Sequence, residues 1–186
     1  MYRLLRFLFK LTDYIRGVYV FSLINLCGGK CKGIPQVGKN FIFKYPPHKG
    51  IVIGRKCYIG SSIIFDVPKG AVLKIGNDVK LTGFINIASA KSVYIGDDVL
   101  IAEGVSIRDS QHNFIEVNKK INSQGLQIGI IIIEDDVWVG KNSTVLLNTH
   151  IKKGCVIGAN SLVKSKNTEE YGVYVGSPVK KVKNRV

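Results

Sequence analysis

One short polar stretch, SIRDSQHNF at residues 106–114, holds the side chain whose chemistry is easiest to recognise. His112 is one of three histidines among the 186 residues, and a neutral imidazole can accept a proton from a hydroxyl group near pH 7. Such an imidazole usually needs a group that orients its second nitrogen. The nearby carboxylates are Asp109, Glu103 and Glu116; the residues alone do not decide among them, and we favour Asp109.

An apolar residue recurs every six positions on both sides of this stretch. Because side chains alternate between the two faces of a strand, a leading residue and the residue four places later both point inward, and the polar residue between them points outward. Short strands with a bend at every unit predict an all-β solenoid, in which stacked coils bury one continuous core. The leading residues are Ile53, Ile59, Ile75, Leu81, Ile87, Ile95, Ile101 and Ile107, followed by Ile133, Val139, Val145, Ile151, Ile157 and Val163.

The six-residue period is interrupted directly after His112 and resumes at Ile133. An insertion in a solenoid emerges as a loop on one face, which is often the face that binds ligands. We therefore predict an extended loop at residues 113–130, long enough to reach a neighbouring subunit, with His112 at its base.

Three segments carry a resemblance to a known family: IGDDVLIAEGVSI, IEDDVWVGKNSTVLLNTHIKKGCVIGANSLV and VGSPVKKV. They resemble the hexapeptide-repeat acyltransferases, and among these the maltose- and galactoside-type sugar O-acetyltransferases and their surface-polysaccharide relatives. The resemblance covers roughly residues 51–183. It implies a left-handed parallel β-helix of triangular cross-section, a homotrimer, and active sites between adjacent subunits.

The resemblance also implies roles for polar residues near the interruption. His112 would be the general base that removes a proton from an acceptor hydroxyl, with Asp109 as the preferred partner that orients it. Relatives hold the acceptor with an Asn in the preceding strand, and Asn86 is the nearest match after a shift of two residues. Glu103 is the second candidate for acceptor binding.

Acetyl-CoA is the acyl donor that the resemblance implies. Relatives bind it with a Thr-Lys pair after the last repeat, whereas this chain reads Val163-Lys164-Ser165-Lys166, so that Lys164 or Lys166 would take over this contact. The GSP segment at residues 176–178 resembles the tail whose basic residues meet the phosphates. The positions that match are Trp138, Lys141, Gly158 and Ala159 for the pantetheine arm, and Lys164, Lys180 and Lys183 for the phosphate end.

No metal is expected. The γ-type carbonic anhydrases share this kind of fold but need three zinc-binding histidines, and His48, His112 and His150 are too scattered in the sequence for that arrangement. We expect His48 in a turn and His150 exposed at a corner.

The beginning of the chain differs from the repeat. Arg3, Arg6, Lys10, Asp13 and Arg16 recur at intervals of three or four among Leu, Phe, Tyr and Ile, which predicts an amphipathic helix. The following apolar run is shorter than the ~20 residues that a spanning helix needs. The segment is therefore expected either to make peripheral contact with a membrane or to pack against another subunit.

These patterns divide the chain into three segments. An amphipathic helical segment is predicted at residues 1–33, in which residues 1–27 would make the contact with either a membrane or another subunit. The hexapeptide-repeat β-helix is predicted at residues 34–170, and a basic tail at residues 171–186.

The formal charge of +14 is compatible with nucleic acid, an anionic membrane surface or phosphorylated small molecules as partners. Zinc-finger spacing, RNP-type aromatic strands and helix-turn-helix patterns are absent from the sequence, so we do not expect nucleic acid. Cys27, Cys31, Cys57 and Cys155 form no CxxC pair, which favours reduced thiols in the cytoplasm. The protein is expected to be free there or peripheral on the cytoplasmic face of the inner membrane.

The function that we favour is acetyl-CoA-dependent O-acetylation of a saccharide hydroxyl, in the biosynthesis of a surface polysaccharide such as capsule, O-antigen or exopolysaccharide. An N-acetyltransferase that acts on an amino sugar, a nucleotide sugar or an antibiotic-like amine is the first alternative. A non-enzymatic β-solenoid used for binding is the second.

Overall fold

The computed structural model describes residues 1–165 and 167–185, apart from the side chain of Leu4. A helix, α1 (Tyr2–Leu26), precedes the strands, and a short 3-10 helix covers Ile121–Ser123. The strands, in chain order, are β1 (Lys30–Cys31), β2 (Gln36–Val37), β3 (Ile42–Phe43), β4 (Ile51–Ile53), β5 (Tyr58–Ser61), β6 (Ile64–Asp66), β7 (Val72–Ile75), β8 (Lys80–Gly83), β9 (Asn86–Ala88), β10 (Ser92–Ile95), β11 (Leu100–Ile101), β12 (Ser106–Arg108), β13 (Ser110–His112), β14 (Leu126–Ile128), β15 (Ile130–Ile133), β16 (Trp138–Val139), β17 (Thr144–Leu146), β18 (Thr149–Ile151), β19 (Val156–Ile157), β20 (Leu162–Val163), β21 (Gly172–Val175) and β22 (Lys180–Asn184).

The strands wind into a left-handed coil with three parallel faces. Each coil places one strand on each face, and the same pattern repeats six times. Face A contains β1, β4, β7, β10, β15 and β18; face B contains β2, β5, β8, β11, β16 and β19; face C contains β3, β6, β9, β12, β17 and β20. The predicted solenoid is therefore confirmed. Its first coil begins at Lys30, whereas the six-residue period becomes readable in the sequence only from about residue 51.

The core contains all of the predicted leading residues. All fourteen of them are at most 3% exposed. The small residues four places after a leader are buried as well, including Cys57, Ser143 and Cys155. In the first two coils phenylalanines replace the aliphatic leaders of face C: Phe43 and Phe65 pack edge to face, with ring centroids 5.9 Å apart.

The corners between the faces require an unusual main-chain conformation. Three places after most leading residues the φ angle is positive, a region that Gly, Asn and Asp occupy at lower cost than other residues. Phe84 is the bulkiest side chain at such a position, with a φ of 52°. The full set is Lys56, Ser62, Asp78, Phe84, Asp98, Gly104, Asp136, Asn142, Asn148, Gly154 and Asn160.

Helix α1 lies across the first coil and closes the N-terminal end of the core. Val20 and Ile24 are 2% and 0% exposed and belong to the core cluster. Arg16 Nε donates a hydrogen bond to the carbonyl oxygen of Val37 at 2.9 Å. A Cβ atom at Gly17 would lie 1.9 Å from the carbonyl oxygen of Pro35, so this close approach requires glycine. Within the described residues, none of the helical segments has the length and apolarity that crossing a bilayer demands.

Two additions interrupt or extend the regular coil. Between the fourth and fifth coils, β13 and β14 form an antiparallel ribbon that leaves the solenoid at the corner between faces C and A. After the sixth coil, β21 continues face B in parallel and β22 pairs with it in antiparallel fashion, so the basic C-terminal residues form the last strand of that face.

Candidate active site

His112 is the last residue of β13 and lies opposite Leu126 of β14. The ribbon is held near its base by Gln111, whose Nε2 donates to Oε1 of Gln127 at 2.7 Å. The imidazole of His112 is exposed and makes no hydrogen bond within the described part of the chain. The ribbon thus presents a free imidazole at the foot of the insertion, which is where the sequence predicts it.

Asp109 has a different environment from the one we expect for a partner of His112. Its carboxylate is completely buried at the corner from which the ribbon departs. The main-chain N–H groups of Ala90, Lys91 and Ser92 donate to it at 2.6, 2.8 and 2.7 Å, and Ser89 Oγ donates at 3.0 Å. In one chain Asp109 therefore fixes the preceding corner, and no hydrogen bond joins it to His112 among the described residues.

The two predicted acceptor-binding residues lie on adjacent coils but not at the same place on them. Asn86 begins β9 on face C, between Ile64 and Ser106 of the neighbouring strands, and points outward with them. Its Oδ1 is buried without a hydrogen-bond partner in the described structure. Glu103 is exposed at the corner between faces B and C, where its carbonyl oxygen accepts a hydrogen bond from Asn142.

The four positions predicted for the pantetheine arm form one continuous area. Trp138 lies on face B between Leu100 and Val156 and is 51% exposed, so its ring is not part of the core. Lys141 and Ala159 are exposed at the following corner, in the fifth and sixth coils. A Cβ atom at Gly158 would lie 2.7 Å from Cγ1 of Val175.

The basic residues predicted for the phosphate end lie beyond this area. Lys180 and Lys183 belong to β22 on face B, and both are exposed. Lys164 is exposed directly after β20 on face C. Lys166 lies outside the described residues, so the structure does not bear on its predicted contact.

One chain does not bring His112 together with the predicted acetyl-CoA positions. The imidazole lies at the corner between faces C and A, whereas Lys141 and Ala159 lie at the corner between faces B and C. Face C separates these corners in every coil. A site that uses both corners therefore requires either two chains or a ribbon that crosses face C.

A cavity of about 200 Å³ lies beside the base of the ribbon, on its face C side. It brings together the guanidinium group of Arg108 and the carboxylate of Asp66, which were not among the predicted site residues. Each directly follows a leading residue of face C. These groups can form hydrogen bonds with a polyhydroxylated ligand. The cavity is lined by Lys44, Tyr45, Asp66, Pro68, Ala88, Ser89, Ala90, Arg108, Ser110 and Leu126.

The expectation that His150 is exposed at a corner is wrong. His150 lies within β18 on face A, and its Nε2 is 2.6 Å from Oε1 of Glu134. Burial raises the pKa of Glu134, but the N–H of Lys153 and the side chains of His150 and Lys152 outweigh this effect and hold that pKa below its ordinary value. The pair ties the fifth coil to the sixth, since its partners lie on different coils.

The other histidine and the cysteines have structural environments. His48 accepts a hydrogen bond from Gly50 N–H at 3.1 Å and lies 3.2 Å from the carbonyl oxygen of Val67, as expected of a turn residue. Cys57 and Cys155 are buried and free, and burial raises the pKa of the Cys57 thiol to about 11. The Cys57 thiol is therefore not available as a nucleophile near neutral pH, and Cys155 is inaccessible because it is completely buried.

The six-residue coil and the histidine-bearing ribbon define the class of protein: a transferase built on a hexapeptide-repeat β-helix. Residues 130–165 match the family model described as bacterial transferase hexapeptide (six repeats). WbbJ of Escherichia coli, which is assigned to lipopolysaccharide biosynthesis as an O-acetyl transferase, is 33% identical over 140 residues, covering 72% of this chain and 71% of WbbJ. The chain therefore belongs to the hexapeptide-repeat acyltransferases, and the resemblance found in the sequence is confirmed.

Further relatives extend this picture. A Mycobacterium tuberculosis protein assigned as an acetyltransferase is 32% identical over 155 residues; the match covers 83% of this chain but spans only about half, 51%, of that protein. Among solved structures, AntD, an N-acyltransferase from Bacillus cereus in complex with dTDP and 3-hydroxybutyryl-CoA, superposes with a TM-score of 0.70 at 19% identity, covering 89% of this chain and 87% of AntD. The polysialic acid O-acetyltransferase OatWY gives a TM-score of 0.59 at 19% identity, with 83% and 88% covered. At this identity the two structures establish a shared fold.

Proposed function

We propose that the protein is an acetyl-CoA-dependent O-acetyltransferase that acts on a saccharide hydroxyl, with His112 as its general base. The observation that carries this proposal is the position of His112: an exposed imidazole, free of hydrogen bonds among the described residues, at the foot of a ribbon that leaves the coil. Membership of an acyltransferase family supplies the reaction class, and the name of the Escherichia coli relative supports a surface glycan as the acceptor.

The reaction needs one base and one site for developing negative charge. Neutral His112 removes the proton from the acceptor hydroxyl, and the resulting oxygen attacks the thioester carbonyl of acetyl-CoA. The tetrahedral intermediate collapses, its carbon–sulfur bond breaks, and protonated His112 returns its proton to the CoA sulfur. Main-chain N–H groups of the coil are the proposed donors to the oxyanion. A covalent acyl-enzyme is not required, which agrees with the burial of Cys57 and Cys155.

The complete site is proposed to form between adjacent subunits of a homotrimer. His112 and the ribbon of one subunit would face the corner between faces B and C of the next subunit, where Lys141 and Ala159 are exposed beside Trp138 of face B. The pantetheine arm would lie along this corner in a groove between the two subunits, here called the acetyl-CoA groove, and Lys164, Lys180 and Lys183 would meet the phosphates. The separation of these groups within one chain supports this arrangement.

The acceptor would be bound at the same junction. We propose Asn86 and Glu103 as its ligands, because the Oδ1 atom of Asn86 lacks a hydrogen-bond partner in the described structure and Glu103 is exposed on the neighbouring coil. Acetyl-CoA and precursors of surface polysaccharides are cytoplasmic metabolites, so we propose that the reaction occurs in the cytoplasm.

The test is release of free CoA thiol from acetyl-CoA with a panel of acceptors. The panel contains neutral oligosaccharides, amino sugars and nucleotide-linked amino sugars, so that transfer to oxygen and transfer to nitrogen are compared directly. With an active acceptor, His112→Ala should lower kcat by about 10²- to 10⁴-fold, the usual contribution of a general base. His150→Ala is the matched control, because that imidazole is paired with Glu134 on face A. Unchanged transfer by His112→Ala, or acetylation of amines alone, would refute the proposal.

A further inference from the structure

The N-terminal helix has one side that packs against the solenoid and another that is exposed along most of its length. Gly17, Val20 and Ile24 share one side, because residues three, four and seven apart lie together on a helix, and they face the first coil. The opposite side, here called the outer face, is 39–66% exposed at every one of its residues. The outer face consists of Phe7, Leu8, Leu11, Tyr14, Ile15, Val18 and Tyr19.

The outer face contains no charged residue; the uncharged polar residues Thr12 and Ser22 lie at its edge and beyond its C-terminal end, and charged residues border it rather than interrupt it. A continuous apolar surface of seven large side chains is unusual on a soluble monomer and marks a site of interaction. Arg3 and Lys10 border the outer face along one edge, each four residues before one of its members, Phe7 and Tyr14, and Arg6 continues this row of cations on the side of Gly17. Aromatic and aliphatic side chains flanked by cations are typical of helices that lie in the interface of a membrane.

The charge at this end of the molecule is strongly asymmetric. Residues 1–50, which form α1 and the first coil with the corner after it, contain nine Lys or Arg residues and one acidic residue, Asp13. They therefore carry a net charge of +8 out of +14 for the chain. Asp13 is itself paired with Arg16. An anionic surface is the partner that this distribution favours.

The orientation of α1 argues against a second copy of the chain as the occupant. The helix lies across the end of the coil, so its outer face is directed away from the solenoid along the coil axis, whereas subunits packed side by side meet through faces and corners. An end-to-end pair would bring two surfaces of net charge +8 together, which is unfavourable. A lipid surface satisfies both the apolar residues and the cations.

We propose that the outer face of α1 inserts into the interface of an anionic membrane, so that the solenoid stands on the bilayer with its N-terminal end. The ribbon with His112 leaves from the end of the fourth coil, three strand spacings of ~4.8 Å from the first, which places it roughly 15 Å from the first coil along the axis. The orientation of the trimer and the nature of the acceptor rest on the proposed function. A trimer with parallel coils would present three such helices in one plane. The acceptor would then be a glycan that reaches upward from a lipid at the surface.

The test is co-sedimentation of the full chain with phosphatidylcholine vesicles, with and without phosphatidylglycerol, over a range of salt concentrations. Binding should require the anionic lipid and weaken as salt increases. The double variant Leu11→Glu/Ile15→Glu should lower affinity by at least about tenfold, because two outer-face side chains no longer enter the interface. Arg3→Glu/Lys10→Glu should lower it by about fivefold or more for each cation.

Matched controls separate docking from general effects of charge. Val117→Glu replaces an apolar residue that is 97% exposed in the distal loop, and Lys153→Glu removes a cation from the sixth coil; both should bind like the parent chain. Size-exclusion chromatography with light scattering follows the oligomeric state of each variant. Equal binding to both vesicle types, or no binding to either, would overturn the proposal. It would also be overturned if Leu11→Glu/Ile15→Glu lost its oligomeric state but still bound vesicles like the parent chain. Acetyl transfer is not part of the readout, so this result is independent of the enzymatic test.

Discussion

Asp109 shows how a buried carboxylate can hold a corner of the coil. Its four donors come from residues 89–92, one coil earlier. The side chain therefore joins the corner from which the ribbon leaves to the equivalent corner of the third coil. Asp109→Asn keeps the shape of the side chain but turns one of its acceptor atoms into a donor that faces N–H groups. We expect this variant to lower the free energy of unfolding by about 2–4 kcal/mol in urea denaturation.

The same variant distinguishes an anchor from a group that orients the base. Because Asp109 makes no hydrogen bond to His112 within one chain, the pH profile of any remaining acetyl transfer should keep its apparent pKa in Asp109→Asn. Glu170→Gln is the control, an exposed carboxylate that is no candidate for orienting His112, and its loss should change stability by less than about 0.5 kcal/mol. A shifted profile with unchanged stability would instead support the orienting role that the sequence suggests.

At the scale of the elements, the corner between faces B and C shows a residue that local conformation disfavours. Phe84 has a φ of 52° and is 71% exposed, so it adopts a left-handed conformation without gaining burial within the chain. Asn142 and Asn160 hold the equivalent place in the fifth and sixth coils. We expect Phe84→Asn to raise the free energy of unfolding by about 1 kcal/mol, because Asn tolerates this region better.

The reverse substitution provides the matched comparison for this corner. Asn160→Phe should lower stability by a similar amount, and thermal unfolding at a fixed protein concentration measures both changes. A lower melting temperature for Phe84→Asn would contradict the expectation. It would show that the ring packs against another molecule, such as a neighbouring subunit.

The elements also show which parts of the fold a sequence can predict. Leading residues such as Ile101 and Val139 reveal the coil because burial on one side of a strand imposes a strict apolar period. The period is not readable in the first coil, although the predicted β-helix begins at residue 34, because Cys31 and Phe43 replace two of its aliphatic leaders. The corners could have been located from the Asn, Asp and Gly residues three places after many leaders.

The candidate site was predictable only in part, for a related reason. His112 is marked by the interruption of the period, which is a local signal. The partners of Asp109 are main-chain N–H groups of a corner about twenty residues earlier, and no side-chain pattern encodes them. The pairing of His150 with Glu134 likewise depends on which residues stack in successive coils, so it becomes visible only when the register is known.

At the scale of the whole molecule, the proposed active site depends on assembly. His112 and the exposed corner with Lys141 and Ala159 are separated by face C in each chain, so neither corner alone contains both the base and the residues proposed for the acetyl-CoA groove. Two different defects could therefore be repaired by mixing subunits. Ala159→Trp would obstruct the groove at an exposed position, and His112→Ala would remove the base, each within an otherwise intact chain.

Co-expression of these two variants with different affinity tags tests this directly. In the proposed homotrimer, each site takes its base from one subunit and its groove from the next. Such a site is intact only when the subunit that supplies the base has His112 and the subunit that supplies the groove has Ala159. Random assortment in equal amounts leaves about a quarter of such sites intact, so the doubly tagged oligomers should recover at least roughly that fraction of parental activity although each variant alone is nearly inactive. An activity of the mixed oligomers no greater than the summed activities of the two single variants would show that each chain uses its own groove. The ribbon itself would then have to cross face C to bring His112 to that groove.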